Sequence, residues 1–583
     1  MRRFALLYAE LDGLSGTNAK VEALVRYLGA ADPADAAWAL RVLLGQQRRR
    51  LITGRRLRQI CLEDSSLPEW LFDDCHTQVG DSAETIALLW RQRDPPASHA
   101  GGSIASPLSA RHRPLHHWME VLLPAAAALA DEPQAREVQR LWCGLEPGEL
   151  LVVNKLLTGG LRVGVARGLV IRALARLSGL EEALLAHRLM GGFTPSARAY
   201  RQLIAPAALE ETVPSRPYPF FLASALEPTD PRGPPLPGST ADWLCEWKWD
   251  GIRGQLIRRR DSTFLWSRGE ELINDAFPEL VAAAAALPEG TVLDGEILVW
   301  PQGAGQPAPF ARLQRRLGRK APGRRLLAEC PAVFLAYDLL ESEGQDRRPW
   351  PLGRRRAALE ALLRTLPAAV STPVAGPLRL SPLLPLQGWG LLESQRQQAR
   401  AAGAEGLMLK ATQSPYLVGR RRGHWWKHKL DPHRLDAVLL YAQAGSGRRA
   451  NLFTDYTFGL WDRPPTEPGN SDEPPRLVSF ARAYSGLDDR EIEALDRWIR
   501  SHTSERFGPV RAVQPLQVFE LAFEGLQRSG RHRSGIAVRF PRIARWRRDK
   551  PASEADCLAS ALALLPPEAA PARPAGAGPR PRT

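Results

Sequence analysis

The sequence predicts a multidomain chain with an all-α N-terminal domain, an α+β middle domain and a small C-terminal β-barrel of OB type. Length is the first reason: 583 residues, 44% of them hydrophobic, exceed one core and suit about three or four units at roughly 100 to 200 residues each. The second is Ala-, Leu- and Arg-rich text with helical periodicity as far as about residue 210. The third is a change, after a Pro-rich stretch at 214–237, to short β-like runs separated by turns.

The helical half is clearest at 34–44, 122–129 and 170–189, and a loop at 95–107 interrupts it. The Pro-rich stretch at 214–237 reads as an interdomain linker. Beyond it, β-like runs at 244–247, 263–266, 291–299, 332–340 and 406–410 alternate with helical text at 277–287 and 354–366, the mark of an α+β domain. From residue 436 strands dominate, at 437–442, 456–460 and 518–523, broken by a polar insertion at 463–475. The expected domains are therefore 1–212, 213–433 and 434–555, with a Pro-, Ala- and Arg-rich tail at 556–583 expected to be disordered.

Charge narrows the partner. The chain carries 78 Lys and Arg against 63 Asp and Glu, a net +15, and its isoelectric point is near 9.9. Such a balance favours a polyanion, because neutralised phosphates release their counterions. A membrane surface is the weaker candidate, since no stretch approaches about 18 uninterrupted apolar residues and Glu10 and Asp12 come too early for a signal peptide. A cytoplasmic, nucleoid-associated monomer without membrane contact is expected. The six cysteines are dispersed, with no C-x-x-C pair, so neither zinc nor a disulfide framework is suggested.

Only 8 of the 78 basic residues are lysines, which makes each lysine informative. Arg cannot replace Lys where a neutral amine must attack. Lys248, Lys410, Lys427, Lys429 and Lys550 all lie in segments singled out on other grounds. Lys248 stands between two tryptophans in Glu246-Trp247-Lys248-Trp249-Asp250-Gly251-Ile252-Arg253, at the end of an apolar strand and before a glycine turn. Free lysine titrates near pH 10.4, so it becomes a nucleophile near neutrality only where burial or neighbouring cations disfavour its ammonium form. Lys427 and Lys429, two residues apart on one strand, share a face and can reach one phosphate.

K-x-D-G-x-R is followed by Ser267-Arg268-Gly269-Glu270, Leu293-Asp294-Gly295-Glu296, Phe334-Leu335-Ala336-Tyr337-Asp338-Leu339, Glu405-Gly406-Leu407-Met408-Leu409-Lys410, Trp426-Lys427-His428-Lys429 and Arg539-Phe540-Pro541-Arg542. In this set the sequence resembles the ATP-dependent DNA ligases of the covalent nucleotidyltransferase superfamily. The resemblance implies that the α+β domain is an ATP-grasp-like adenylation domain. It also implies that Lys248 attacks the α-phosphate of ATP and carries AMP as a phosphoramidate, while pyrophosphate leaves. Glu246 would receive the adenine amino group. Arg253 and Arg268 would hold ribose and phosphate, Glu296 the ribose hydroxyl or a metal, and Tyr337 would stack on the base. Glu405 would bind a divalent cation, Mg²⁺ or Mn²⁺. Lys427 and Lys429 would grip the α-phosphate, and Arg539, Arg542, Asp549 and Lys550 would orient the leaving pyrophosphate. Phosphoryl transfer agrees with such a layout, because it needs in-line positioning and charge neutralisation more than acid-base groups.

Capping enzymes and RNA ligases share the K-x-D-G core, so the flanking domains decide between substrates. The run Asn154-Lys155-Leu156-Leu157-Thr158-Gly159-Gly160-Leu161-Arg162-Val163-Gly164 resembles the helical DNA-binding domain of larger DNA ligases, as does Gly54-Arg55-Arg56-Leu57-Arg58. Arg55, Arg56, Arg58, Lys155 and Arg162 are the candidate DNA contacts. The resemblance spans about residues 1–550 and implies nicked duplex DNA as partner, with a role in repair or recombination. An RNA ligase or capping-type enzyme is the alternative, and a non-enzymatic nick-binding scaffold the remotest. The NAD-dependent ligases are excluded, since their zinc-binding cysteine quartet has no counterpart here.

Overall fold

The computed structural model describes residues 1–14, 16–47, 50–63, 67–79, 81–90, 112–161, 163–190, 192–206, 214–227, 235–371, 376–445, 452–465, 474–507 and 510–565. The chain divides into two compact units, Met1–Ile60 with Asp94–Leu430, and Cys61–Arg93 with Asp431–Thr583. The loop expected at 95–107 lies outside the described residues, as do most of the insertion at 463–475 and the tail beyond 565. The first part of the tail expected to be disordered at 556–583 is folded instead: Leu558–Ala563 is a helix whose Ala561 joins the core of the second unit.

In the first unit the helical text folds as read, with the ends set by capping. The helix Pro147–Thr158 starts from a reciprocal Glu146/Glu149 capping box and stops at Gly159, whose φ of 67° closes it in the left-handed conformation. The run expected at 170–189 is two helices, Arg167–Ser178 and Glu182–Arg188, because Gly179 at φ 72° terminates the first.

Among the described residues thirteen strands follow: β1 (Phe221–Leu222), β2 (Ser224–Ala225), β3 (Trp243–Trp249), β4 (Ile252–Arg259), β5 (Ser262–Ser267), β6 (Thr291–Val299), β7 (Ala332–Ser342), β8 (Gln345–Asp346), β9 (Leu378–Leu380), β10 (Leu383–Leu384), β11 (Ala404–Ala411), β12 (Gly419–Arg420) and β13 (Trp425–Lys429). They build a five-stranded sheet in the order β10-β3-β11-β13-β2 and a six-stranded sheet in the order β5-β4-β6-β7-β8, with β9 also on β7. The second sheet packs Leu293, Ile297 and Phe334 against helices Pro278–Ala284 and Leu352–Thr365. β1 and β2 correct the reading of 214–237 as a linker. Phe221 is fully buried, β2 runs parallel to β13, and Tyr218 donates to Glu341 on β7 at 2.7 Å. Prolines mark turns there, but the intervening aromatics belong to the core.

The second unit carries β14 (His433–Ala444), β15 (Phe453–Trp461), β16 (Leu477–Ala483), β17 (Thr503–Phe507), β18 (Val510–Val513), β19 (Val518–Phe523), β20 (Gly525–Arg528), β21 (Ile536–Arg539) and β22 (Arg542–Arg547). One seven-stranded sheet runs β16-β15-β14-β18-β17, with β19 joining β14 to β22, while β20 and β21 form a separate hairpin. The long β14 takes β15 on one edge and, in succession, β19 and β18 on the other. Phe458, Phe519, Leu521 and Leu439 fill the core on one face. The helix Asp489–Ser501, begun by an Asp488/Glu491 capping box, adds Leu495 and Ile499 to it. Among the described residues the pairings leave this sheet open rather than closed into a barrel.

Candidate active site

Strand alternation sorts β3 into two faces. Cys245 and Trp247 pack with Leu407 and Leu409 of β11, which leaves Glu246 and Lys248 on the opposite face. Met408 of β11 stands opposite Glu246 on one side and Lys427 of β13 on the other, so Glu246, Lys248, Lys427 and Lys429 line one sheet surface. The Trp247-Lys248-Trp249 pattern is therefore a strand that packs a half-buried Trp247 and a buried Trp249 and offers the lysine.

The Lys248 amine donates to Glu405 Oε2 at 2.6 Å, and Lys429 Nζ lies 3.6 Å from the same oxygen. A bare neutral amine was the expectation. The structure instead holds it by an ion pair, because a cation half-withdrawn from water takes the nearest carboxylate. Glu405 is aimed by its neighbour. Gly406 sits at φ 142°, and a Cβ there would lie 2.2 Å from the His428 carbonyl oxygen, so only glycine fits between β11 and β13. Gly251 has the same function at the K-x-D-G turn, where a Cβ would meet the Ile297 carbonyl at 2.4 Å and press on Glu296.

Glu296, on β6 opposite Arg253 of β4, enters the same field of charge. Burial pushes its carboxyl up to about 8 from 4.5, against the pull of Lys248 and Arg253. Lys427 is drawn below the usual lysine range, first by burial and then by Lys429 and Arg420. Arg268 is exposed, and its backbone N–H donates to the Arg253 carbonyl at 2.9 Å.

Three expected nucleotide contacts are already committed to protein. Arg253 pairs with Asp294 through Nε at 3.2 Å and Nη2 at 2.7 Å, and donates to the Phe221 carbonyl at 2.7 Å and the Tyr416 hydroxyl at 3.3 Å. A buried guanidinium with partners on both sides of its fork shapes the pocket wall instead of reaching outward. Tyr337 donates to Asp294 at 3.2 Å, and two cations lie over its ring, Lys410 Nζ at 4.1 Å and the Arg253 guanidinium carbon at 5.8 Å. Glu246 is buried with one oxygen 3.1 Å from Arg356 and the other 2.5 Å from Lys410.

Arg355, Arg356 and Tyr416 went unnoticed in the sequence. Arg355 is fully buried and pairs with the fully buried Asp338 at 2.8 Å, and the Tyr416 hydroxyl donates to Asp294 at 2.6 Å. A signal for the arginines was present: in Leu352–Thr365 the inward positions 352, 355, 356, 359 and 363 keep helical spacing, so both arginines fall on the apolar stripe. Charge at such positions demands a buried partner.

Among the candidate DNA contacts, Arg55 is exposed, whereas Arg56 donates from Nε to Gln134 at 3.3 Å and from Nη2 to the Asp131 carbonyl. Arg56 thus ties two helices together. Gly159 and Gly164 are helix-end and turn glycines, and Lys20 donates to the Gly164 carbonyl at 3.2 Å. Arg162 lies outside the described residues. Arg539, Arg542, Asp549 and Lys550 belong to the second unit, where Arg542 is exposed and Lys550 is salt-bridged to Asp436 at 2.8 Å.

Three family models match the chain in order: DNA ligase N terminus over residues 1–175, ATP dependent DNA ligase domain over 237–429 and ATP dependent DNA ligase C terminal region over 449–550. A probable DNA ligase of Koribacter versatilis is 34% identical, over 74% of this chain and 75% of that protein. The chain belongs to the ATP-dependent DNA ligases. A second relative, the probable DNA ligase of Opitutus terrae, is also 34% identical and matches 96% of this ligase, which spans 62% of that protein's length. The solved structure named Pmar-Lig_Pre covers 94% of the ligase with a TM-score of 0.55 at 15% identity, a likeness of fold.

Two carboxylates beside a lysine trio suit a divalent cation bridged to phosphate oxygens, since Mg²⁺ binds through one or two protein carboxylates and completes its shell with phosphates and water. Among the described residues of the ligase, no group of three or more His, Cys, Asp or Glu side chains is arranged to hold a metal alone. No described helix is long and apolar enough to cross a membrane.

Proposed function

We propose that this ligase seals nicks with 5′-phosphate and 3′-hydroxyl ends in duplex DNA, in three steps that begin on Lys248. The observation that carries the reading is the Lys248–Glu405 pair at 2.6 Å, flanked by Lys427, Lys429 and Glu296 on facing strands. In the first step the amine gives its proton to Glu405, the nearest acceptor. The nitrogen then forms a bond to the ATP α-phosphorus, and the bond to the bridging oxygen breaks as pyrophosphate departs with the electron pair. Lys427 and Lys429 neutralise charge on the α-phosphate, and Arg268 contributes from the rim. In the second step the 5′-phosphate at the nick takes AMP from the lysine. In the third the 3′-hydroxyl attacks that 5′-phosphate and AMP leaves.

Glu246, held by Arg356 and Lys410, is placed to accept from the adenine amino group. Tyr337 stacks on the base, and Arg253 acts through Asp294 by holding that wall in place. Glu405 and Glu296 would hold Mg²⁺ or Mn²⁺, which when bound supplies Lewis-acid stabilisation of the phosphates. We read the strand-rich segment of the second unit as an OB-type fold whose sheet stays open among the described residues, with Arg539 and Arg542 as its nucleotide-binding residues. The helical segments with Arg55, Arg58 and Lys155 meet the duplex mainly through its phosphates.

Incubation with labelled ATP or GTP, followed by nicked DNA or RNA, tests this reading. A Lys248-dependent AMP adduct that seals nicked DNA supports it. Adduct formation from GTP, or sealing confined to RNA ends, would favour the capping-type or RNA-joining alternative. Nick sealing retained by Lys248→Ala would overturn the assignment.

A further inference from the structure

Among the described residues five arginines are buried: Arg316, Arg355, Arg356, Arg379 and Arg396. Four of them meet a carboxylate, Arg316 at Glu279 (2.8 Å), Arg355 at Asp338 (2.8 Å), Arg356 at Glu246 (3.1 Å) and Arg396 at Glu393 (2.6 Å). Arg379, 6% exposed, meets none among the described residues, and burial draws its guanidinium below the usual arginine range. A cation withdrawn from water without a counter-charge is costly, so a purely structural position would be filled more stably by an apolar side chain.

Arg379 is the middle residue of β9. Its neighbours Leu378 and Leu380 pack into the helix-covered core, and it stands on the other face, opposite Leu335 of β7, which in turn stands opposite Glu296 of β6. Arg379 Nε donates to the Gly376 carbonyl at 2.9 Å, and Cζ lies 5.2 Å from the centre of the Trp300 ring. The ring is itself fixed, since the Trp300 indole N–H donates to the Ala304 carbonyl at 2.8 Å. Trp300 follows Glu296 along the line of β6 by about 13 Å, at about 3.3 Å per residue, so the guanidinium sits apart from the nucleotide face. Nη1 and Nη2 take no protein partner among the described residues, yet neither is sealed from water. The side chain is a buried stem, clamped by one carbonyl and one indole, that presents the open end of its fork at the surface.

We propose that Arg379, held by Trp300 and the Gly376 carbonyl, is a phosphate-binding residue of the first unit that takes one backbone phosphate of the nicked duplex. The inference rests on the reading of nicked DNA as substrate and adds a contact to it. A guanidinium fork matches a phosphate through paired N–H donors, and here its rotamer freedom is already spent before the ligand arrives. The missing counter-charge is then the ligand's own. DNA is favoured over ATP as its source because the nucleotide phosphates belong to Lys248, Lys427 and Lys429 on the five-stranded sheet, while the chain as a whole carries +15 for a polyanion.

The test uses the full chain with Arg379→Met, which keeps the stem without the charge, and Arg379→Lys, which keeps the charge without the fork. Binding to a nicked duplex is measured across a salt series, alongside melting temperature and Lys248-AMP formation from labelled ATP. Expected for Arg379→Met is roughly 10-fold weaker binding, a salt slope smaller by about 0.9 as one phosphate contact is lost, a melting temperature no lower than the parent's, and adduct formation within about twofold. Arg379→Lys should keep the slope and bind about threefold more weakly than the parent. An unchanged slope with a lowered melting temperature would make Arg379 a structural staple for Trp300, and a slowed adduct with unchanged DNA binding would place the phosphate in ATP; either overturns the proposal, as does Arg379→Lys binding as tightly as the parent. Failure of the underlying reading shows separately, as a parent chain that forms its adduct and joins only RNA ends.

Discussion

Lys248 and Glu405 meet across the β3–β11 pair, amine to carboxylate at 2.6 Å, at the one place where β11 shifts register between Ala404 and Leu407. The irregularity re-aims a side chain that regular alternation would have placed elsewhere. If Glu405 receives the lysine proton, Glu405→Gln removes the acceptor while keeping the shape. Proton transfer by a positioned group contributes about 10²- to 10⁴-fold, so adduct formation from ATP should fall by at least about 100-fold. The labelled-adduct assay reads this directly, and a loss smaller than about threefold would assign the proton to another group.

Gly406 permits that irregularity, and its replacement separates aim from chemistry. At φ 142°, with a Cβ 2.2 Å from the His428 carbonyl, Gly406→Ala forces β11 and β13 apart. Strain of this kind costs on the order of 1 to 3 kcal/mol. The expected result is a lowered melting temperature together with slow adenylation, as Glu405 and Lys429 move off Lys248. Unchanged adenylation in a destabilised variant would show that the aim of Glu405 is not set here.

Beneath the pocket, Glu246 is held by Arg356 and Lys410 with almost no solvent to share the charge. Removing one partner of a buried pair strands the other and costs about 3 to 5 kcal/mol, and the second cation here places the cost at the lower end. Arg356→Ala should therefore lower unfolding stability by about 3 kcal/mol in denaturant titration and raise the KM for ATP. Arg356→Ala combined with Glu246→Gln should recover part of the stability and none of the ATP affinity. Recovery of both would mean that Glu246 does not read the base.

The sheet face of the candidate site was legible because its residues are written in short runs. Lys248 between tryptophans and the paired Lys427 and Lys429 carry their geometry in strand periodicity, while Gly406 marks the irregularity that re-aims Glu405. Long-range partners carry no such mark. Asp294 gathers Arg253, Tyr337 and Tyr416 from separate strands and loops, and local spacing does not reveal that Arg253 is spent on it. The prolines of 214–237 misled for a related reason. They mark turns correctly, but pairing of β1 with β12 and of β2 with β13 depends on residues some 200 positions away.

Glu296 gives the clearest pH signature. Its carboxyl is pushed up to about 8 in the folded chain by burial, from 4.5 when unperturbed. Between those values the folded state keeps a proton that the unfolded state releases, so stability declines as pH rises. The contribution is full below about pH 4.5 and is lost progressively up to about pH 8. Glu296→Gln removes the titration while keeping the shape. Its melting temperature should track the parent's near pH 5 and exceed it by a growing margin toward pH 8.5, while adenylation is lost because the carboxylate that would share the divalent cation is gone. Adding Mg²⁺ and ATP to the parent chain at pH 7 should release close to one proton, measured in weakly buffered solution, as the bound cation favours the ionised form. Parallel melting curves for parent and variant from pH 5 to 8.5 would show that Glu296 is already ionised at neutrality and that its burial is offset by Lys248 and Arg253.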